Sequence, residues 1–503
     1  MGIPGFYKFI SASPALHNHL RNGLRRKLNI SNFTKATILV DGTEVLFHVT
    51  KTNKVANWDD IIAHMFKYIC GIYTQLIQDN GSHDINAKIF VAFSGVYPKT
   101  RLFTRRERAY IEVVHPSREF PEWFKPYEIS AGMKTYENAI AQLQRMEWPC
   151  DTTISLPHLP GSSLYKLEQH VLLKSNQERA LIYVGTGADI FVSSLRQASK
   201  HPNQIPVFLV AGRFKMKNVI DVCALAKSIA QLYDSDVNES NVNNIACYTV
   251  QDFVTVATII GGTNILPRAG RLDVYTGGID KGMDVYIQCR NELKLLGQIE
   301  NDINNSFKPY LHGRFYHLDG SPNYKNIAFW MLKVSAMQDN SLSSPAGLND
   351  NYDEEKNVIN YCQTLDWVLR SVNGRVSSWS WEPQKMFKYA PNFDTVGKII
   401  CTTLKNHTSH IRNDKPQNVY TQLSVVLPPE IHGQYLPPYL LSQVANVIKN
   451  QSMEYPKSVK TMEIGRLYSR KTSAPHKKYV PGLQRHPLLP VTNNLAYNWR
   501  KSV

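Results

Sequence analysis

Apolar residues recur along this chain in two rhythms. Thr37-Ile-Leu-Val40, Lys88-Ile-Phe-Val-Ala-Phe93, Leu181-Ile-Tyr-Val184 and Val207-Phe-Leu-Val210 are short runs, apolar or β-branched almost throughout. Such runs predict interior strands of a parallel sheet, covered on both faces. From Trp58 to about Asp79 the rhythm changes. Ile61, Ile62, Met65, Phe66, Ile69, Ile72, Tyr73 and Leu76 fall at three-to-four spacing, which predicts a helix with one buried face. Tyr7, Phe9 and Ile10 predict a short helix near the N-terminus, followed by a basic turn. Val250–Ile260 reads as an apolar helix ending at Gly261-Gly-Thr-Asn264-Ile-Leu-Pro267, and Pro98–Tyr110 as a basic segment of helical character. Strands alternating with helices over residues 30–270 predict an α/β fold, a mainly parallel twisted sheet flanked by helices.

Beyond residue 290 the strand rhythm stops. Residues 291–337 read as a helical connection, and Gln338–Lys356, rich in Ser, Asn and Asp, as a polar loop or linker. Residues 357–470 carry an aromatic-rich, mostly helical block with Trp367, Trp379, Trp381 and Tyr389. The tail 471–503 is basic and Pro-rich with little periodicity. There are no internal repeats.

Charge narrows the choice of partner. The net charge is +16, and it is uneven. Residues 1–30 hold Lys8, Arg21, Arg25, Arg26 and Lys27 without an acid, and residues 451–503 hold ten Lys/Arg against Glu454 and Glu463. A polyanion such as nucleic acid is the expected partner. No run approaches the roughly 18 uninterrupted apolar residues of a membrane span. No secretory or myristoylation signal is expected at the N-terminus. The seven cysteines are scattered and never form CxxC, which argues against disulfides and zinc and for a reducing, cytoplasmic setting.

The candidate chemistry starts at Asp41. An acid at the carboxyl end of an interior strand sits where open α/β sheets place their ligands. If other acids gather round it, the site is metallic; otherwise Asp41 is the remnant of such a site, or an acid capping the following helix.

Several segments in register then resemble the XRN family of 5′→3′ exoribonucleases. They are Met1-Gly-Ile-Pro4-Gly-Phe6, Leu39-Val-Asp41-Gly, Phe93-Ser94-Gly-Val-Tyr-Pro98, Pro160-Gly-Ser-Ser-Leu-Tyr-Lys166, Val184-Gly-Thr-Gly187-Ala-Asp189 and Gly262-Thr-Asn264-Ile-Leu-Pro267. In the second half, Trp367-Val-Leu-Arg, Ser378-Trp379-Ser-Trp381, Tyr389-Ala-Pro391 and Val426-Leu-Pro-Pro429 follow the family's second block. The resemblance implies a PIN/FEN-like nuclease core over residues 1–290. In the family, about seven carboxylates hold two divalent ions about 3.5–4 Å apart. Here Asp41 and Asp189 survive, while Ser94, Ser162, Leu164, Gly187 and Asn264 stand where the family has acids.

Mg²⁺ dehydrates reluctantly and needs charged oxygen ligands, so this loss predicts at most one weakly held ion on Asp41 and Asp189. No catalytic residue is assigned and no cofactor is expected; Mg²⁺ or Mn²⁺ would serve any surviving activity. Glu44, Glu168 and Asp252 are the acids that recruitment would use.

The substrate-holding features survive better. Arg101, Arg105 and Arg108, with Lys99 and Arg106 adjacent, match the family's 5′-phosphate helix, their spacing putting guanidinium forks on one face. Phe47 stands where the family stacks a base, with Trp379 or Trp381 as the opposing ring. The expectation is an RNA-binding pseudoenzyme, recognising single-stranded RNA at its 5′ end, as a component of a larger ribonucleoprotein or virus-like particle with other proteins. The alternatives are an active divergent exoribonuclease and a purely structural scaffold. The bland readings are a solvated basic helix face and core tryptophans.

Overall fold

The computed structural model describes residues 3–13, 15–16, 35–78, 85–114, 116–173, 179–185, 187–200, 205–210, 219–234, 237, 242–268, 272, 274–301, 313–317, 319–337, 354–372, 374–383, 391–428 and 431–441. The basic turn at 21–27, Tyr389, residues 338–353 of the expected polar loop and the tail 471–503 lie outside them.

A six-stranded sheet organises the first half. Its strands are β1 (Lys35–Asp41), β2 (Asn86–Ala92), β3 (Thr152–Ser155), β4 (Ala180–Val184), β5 (Val207–Val210) and β6 (Val219–Asp221). They lie in the order β3-β2-β1-β4-β5-β6, all parallel except β6, which runs antiparallel to β5. The fold is therefore α/β with a mostly parallel sheet. The order turns outward in both directions from β1 and β4, which are neighbours with Val40 opposite Val184. That junction is the switch point at which open sheets form a crevice.

The alternation of side chains explains why the strands are apolar throughout. Leu39, Phe90, Tyr183 and Leu209 face one core; Ile38, Val40, Ile89, Val91, Ile182 and Val184 face a second. Over the second face pack α2 (Gly42–Thr52), α3 (Trp58–Gln78) and α5 (Lys134–Gln144), with α4 (Lys99–Val114) between β2 and α5 in the chain. Ile61, Ile62, Met65, Ile69 and Ile72 of α3 are buried as their spacing predicts. The first face carries α1 (Phe6–Ala12), α6 (Ser163–Leu173), α7 (Ala188–Lys200), α8 (Val222–Tyr233) and α9 (Val242–Gly261). In α1 the buried side chains are Phe6, Phe9 and Ile10; Tyr7 is 41 % exposed, which corrects its place on the apolar side.

The second half adds α10 (Gly278–Asn301), α11 (Tyr324–Ala336), α12 (Glu354–Val372), α13 (Phe393–Asn406) and α14 (Val419–Val426). Helix α12 begins at Glu354, so the polar loop ends three residues before its expected limit. The first core runs from Ile3 through Trp330 and Trp367 to Ile400. The boundaries expected at 290 and 357 therefore divide the chain's rhythm, not its core.

Candidate functional site

At the switch point Asp41 ends β1 and caps α2. It is 5 % exposed and accepts the Glu44 amide at 3.0 Å, the capping role open to a strand-end acid. Burial pushes its pKa up to about 8, and the charges of Glu44 and Asp189 act in the same direction. Hydrogen bonds from the Glu44 amide and the Ser163 hydroxyl pull the other way without prevailing.

Glu44, in the first turn of α2, crosses to the turn after β4. The Gly187 amide donates to its Oε2 at 2.8 Å. A Cβ added at Gly187 would lie 2.0 Å from Glu44 Oε1. The Glu44 carboxylate thus fills the space that a side chain at 187 would need. Asp189, in the first turn of α7, is half-buried. Burial works to raise its pKa, but the cations facing it, Arg101 and Arg108 among them, hold it below the usual carboxylate range.

The remaining positions where the resemblance implies acids are neutral. The Ser94 amide donates to Thr43 Oγ1 at 2.8 Å, and Ser94 Oγ accepts the Ser163 amide at 3.1 Å. Ser162 Oγ accepts the Tyr165 amide at 3.2 Å, and Leu164 packs against the core. Lys166, on the buried side of α6, donates to the Phe93 and Leu156 carbonyls, both at 2.7 Å, and burial pulls its pKa down to about 7. Asn264 is exposed, and its carbonyl accepts the Thr104 hydroxyl at 3.3 Å.

Among the described residues no three ligating side chains converge on a point that could hold a metal. Burial and the neighbouring acids raise the Asp41 pKa, Glu44 accepts the Gly187 amide, and Arg101 and Arg108 are among the groups that lower the Asp189 pKa. With neutral residues at 94, 162, 164, 187 and 264, the donor set here offers fewer charged oxygens than the roughly seven carboxylates that the resemblance implies for two divalent ions.

Beside the acids lies a solvent-open cleft, lined among others by Arg101, Tyr165, Glu168, Asp189, Arg196 and Trp379. The Tyr165 and Trp379 rings meet edge to face, centroids 5.9 Å apart. Trp379 sits on a loop built around Asp414, a residue the motif reading missed. Asp414 accepts the Trp379 amide at 2.6 Å, the Ser380 amide at 2.9 Å and the Ser378 hydroxyl at 2.8 Å, and its pKa falls to about 2 against the pull of partial burial. The same loop receives the start of α4: the Lys99 amide donates to the Trp379 carbonyl at 2.8 Å and the Thr100 hydroxyl to the Trp381 carbonyl at 2.7 Å.

The other expected site residues divide. Arg101 lines the cleft, and Arg108 is close enough to lower the Asp189 pKa. Arg105 is otherwise engaged, stacked 4.0 Å over the Tyr97 ring, donating to its hydroxyl at 2.6 Å and to the Ile129 carbonyl at 3.3 Å. Lys99 pairs with Glu382 at 2.6 Å, and Arg106 does not line the cleft. Of the five expected cations, then, Arg101 lines the cleft and Arg108 lies near Asp189. Phe47 packs against Phe120 and Phe124, and Trp381 is 7 % exposed with its ring on His410. Neither lines the cleft; of the three expected rings, Trp379 does.

Of the acids that recruitment would use, Glu44 reaches the site. Glu168 lines the cleft but accepts from Ser193 at 2.7 Å and from Arg196 at 3.2 Å. Asp252 belongs to a buried network elsewhere. It accepts the Tyr286 hydroxyl, the Phe315 amide at 3.0 Å and Arg314 at 3.4 Å; Arg314 and Arg290 also hold Asp234, at 2.5 and 2.7 Å.

No protein-family model matches this chain, and no curated protein matches it. Among the described residues no helix is long and apolar enough to cross a membrane.

Proposed function

We propose that this chain is an RNA-binding protein with an XRN-like, PIN/FEN-like nuclease core that has lost two-metal hydrolysis. It serves as an RNA-binding or structural component of a larger ribonucleoprotein or virus-like assembly. The observation that carries this reading is the pairing of two features at the carboxyl ends of β1 and β4. Of the seven positions where the resemblance implies acids, two hold them, Asp41 and Asp189, while the adjoining cleft presents Arg101, Tyr165 and Trp379. A guanidinium beside an aromatic edge suits a phosphate and its neighbouring base. The net charge of +16 supports a polyanionic partner, and seven free cysteines fit a reducing, cytoplasmic setting.

The test is to incubate the protein with 5′-monophosphorylated RNA and Mg²⁺ or Mn²⁺, with Asp41→Ala as control, and to measure affinity for 5′-phosphate and 5′-hydroxyl ends. The expected result is binding that prefers the phosphate end, weakened by Arg101→Ala, with no release of mononucleotides. Processive release that Asp41→Ala abolishes overturns the loss of hydrolysis. Absence of any RNA binding leaves the structural scaffold.

One observation favours an active divergent 5′→3′ exoribonuclease as the second reading. Glu44 puts a carboxylate where the family's side chain at 187 would stand, so one missing charge is resupplied from another helix.

A further inference from the structure

Trp379 lines the cleft from a stretch that is neither helix nor strand, so its ring is held there by other means. Asp414 supplies them from a distant part of the chain. Its Oδ1 accepts the Trp379 amide, and its Oδ2 accepts the Ser380 amide together with the Ser378 and Ser380 hydroxyls. Successive amides that converge in this way form a concavity suited to an anion. Here the chain provides the anion itself.

Asp414 belongs to residues 407–418, between α13 and α14, which also have neither helix nor strand. From Lys405 to Asn413 every residue is exposed except His410, which is buried. His410 Nε2 meets Asp366 Oδ2 at 2.5 Å, and its Nδ1 has no hydrogen-bond partner, so Asp366 is the ring's one polar attachment. A carboxylate partner requires Nε2 to be the donor. Asp366 is fixed on α12 in turn: Arg370 Nε donates to both of its oxygens, at 2.8 and 2.9 Å, and the Tyr324 hydroxyl donates to Oδ1. Bonds on either side of His410 complete the tether. Gln363 Nε2, also on α12, donates to the His407 carbonyl at 3.0 Å and to Ser409 Oγ at 3.2 Å, and the Arg412 amide donates to the Ser377 carbonyl at 2.8 Å. The same helix supplies Ser371 and Val372 to the cleft wall.

We propose that residues 407–414 are a strap that positions Trp379 for a nucleotide base, with Asp414 as the positioning residue and the buried Asp366–His410 pair as the latch that holds it. This rests on the RNA-binding reading above and names what sets the geometry of its aromatic wall. Asp414 touches no ligand; it acts through Trp379.

The test uses the full chain and a 5′-phosphorylated single-stranded RNA of about eight nucleotides, within the usual span of single-strand sites. Affinity is read by fluorescence anisotropy per folded molecule. Trp379→Ala should weaken binding about tenfold, the loss of one base–aromatic stack. Asp414→Ala should weaken it by a similar factor, and in a Trp379→Ala background should weaken it no further, a non-additivity that a general loss of stability would not produce. His410→Leu should behave as Asp414→Ala does. His410→Gln, whose side-chain amide can donate in place of Nε2, should keep most of the affinity. Where Asp414→Ala does not fold, Asp414→Asn, which keeps one acceptor oxygen, goes through the same cycle.

Full affinity in the Asp414 variant, or an equal loss with and without Trp379, overturns the strap and leaves the functional reading standing. A Trp379→Ala variant that binds as the wild type does overturns it too, because the strap would then position a ring that meets no base. Wild-type protein that binds no RNA overturns the functional reading and this proposal together.

Discussion

Asp252 and Asp41 are both almost wholly buried, 1 % and 5 % exposed, and burial pushes the pKa of each upward. Their surroundings differ in one respect. Around Asp252 the opposing pull comes from cations and donors, Arg314 first, with Tyr286, the Phe315 amide and Arg290 behind it. Around Asp41 the neighbouring charges are Glu44 and Asp189, and only hydrogen bonds from an amide and a hydroxyl oppose them. A buried acid matched by arginines is part of the framework. A buried acid set among other acids at the mouth of a sheet costs stability, and its placement suits a ligand site or the remnant of one. The two aspartates therefore separate what holds the molecule together from what its cleft was shaped to do.

The comparison breaks first at Arg314. Replacing it with Met keeps the length and removes the charge, leaving Asp234 and Asp252 buried with Arg290 as the remaining cation. Breaking such a pair costs about 3–5 kcal/mol. Urea unfolding should show a loss of that size with RNA affinity per folded molecule unchanged. A loss under about 1 kcal/mol would mean that the network is not a framework.

A smaller effect is expected where Glu44 meets Gly187. Gly187→Asp introduces an acid but drives its Cβ into the Glu44 carboxylate and adds a like charge. The single change should destabilise, and Glu44→Ala should rescue it, with a coupling energy of about 1–3 kcal/mol in a double-mutant cycle. Additive effects would show that Glu44 does not fill that space.

Much of this framework is legible in the sequence. β1, β2, β4 and β5 lie between two cores, so their apolar runs continue without interruption. β3 at the sheet edge reads Thr-Thr-Ile-Ser and is half exposed, and β6 has three residues; neither leaves a pattern to find. Asp41 is visible because a strand end announces it. Glu44's role is not, because only the packing of α2 against the turn after β4 brings residue 44 to residue 187. Asp414 anchors its loop across 34 to 36 residues and Arg314 reaches Asp252 across 62, separations that no local rhythm records. Arg105 and Trp381 mislead for the converse reason. Helix spacing places a guanidinium on the cleft face, but Tyr97 and Ile129 take it first, and a tryptophan motif does not say which ring is core.

The finest test follows the proton on Asp41. In the unfolded chain this carboxyl ionises near its ordinary value of 3.8, and in the folded protein near 8. Between those values the folded state alone keeps the proton, so unfolding releases it and stability falls as pH rises. Below the lower value both states are protonated and the contribution is fully present; above the higher value both are ionised and the loss is complete. Asp41→Asn fixes the neutral form, and its Oδ1 can still accept the Glu44 amide. Variant and wild type should therefore be about equally stable near pH 4. The variant should pull ahead steadily up to about pH 8, and the gap should then stay constant. Urea midpoints of the two proteins across that range give the answer directly. A gap that does not change with pH would mean that Asp41 ionises in the folded protein near its ordinary value, and the distinction between framework acids and site acids would have to be drawn elsewhere.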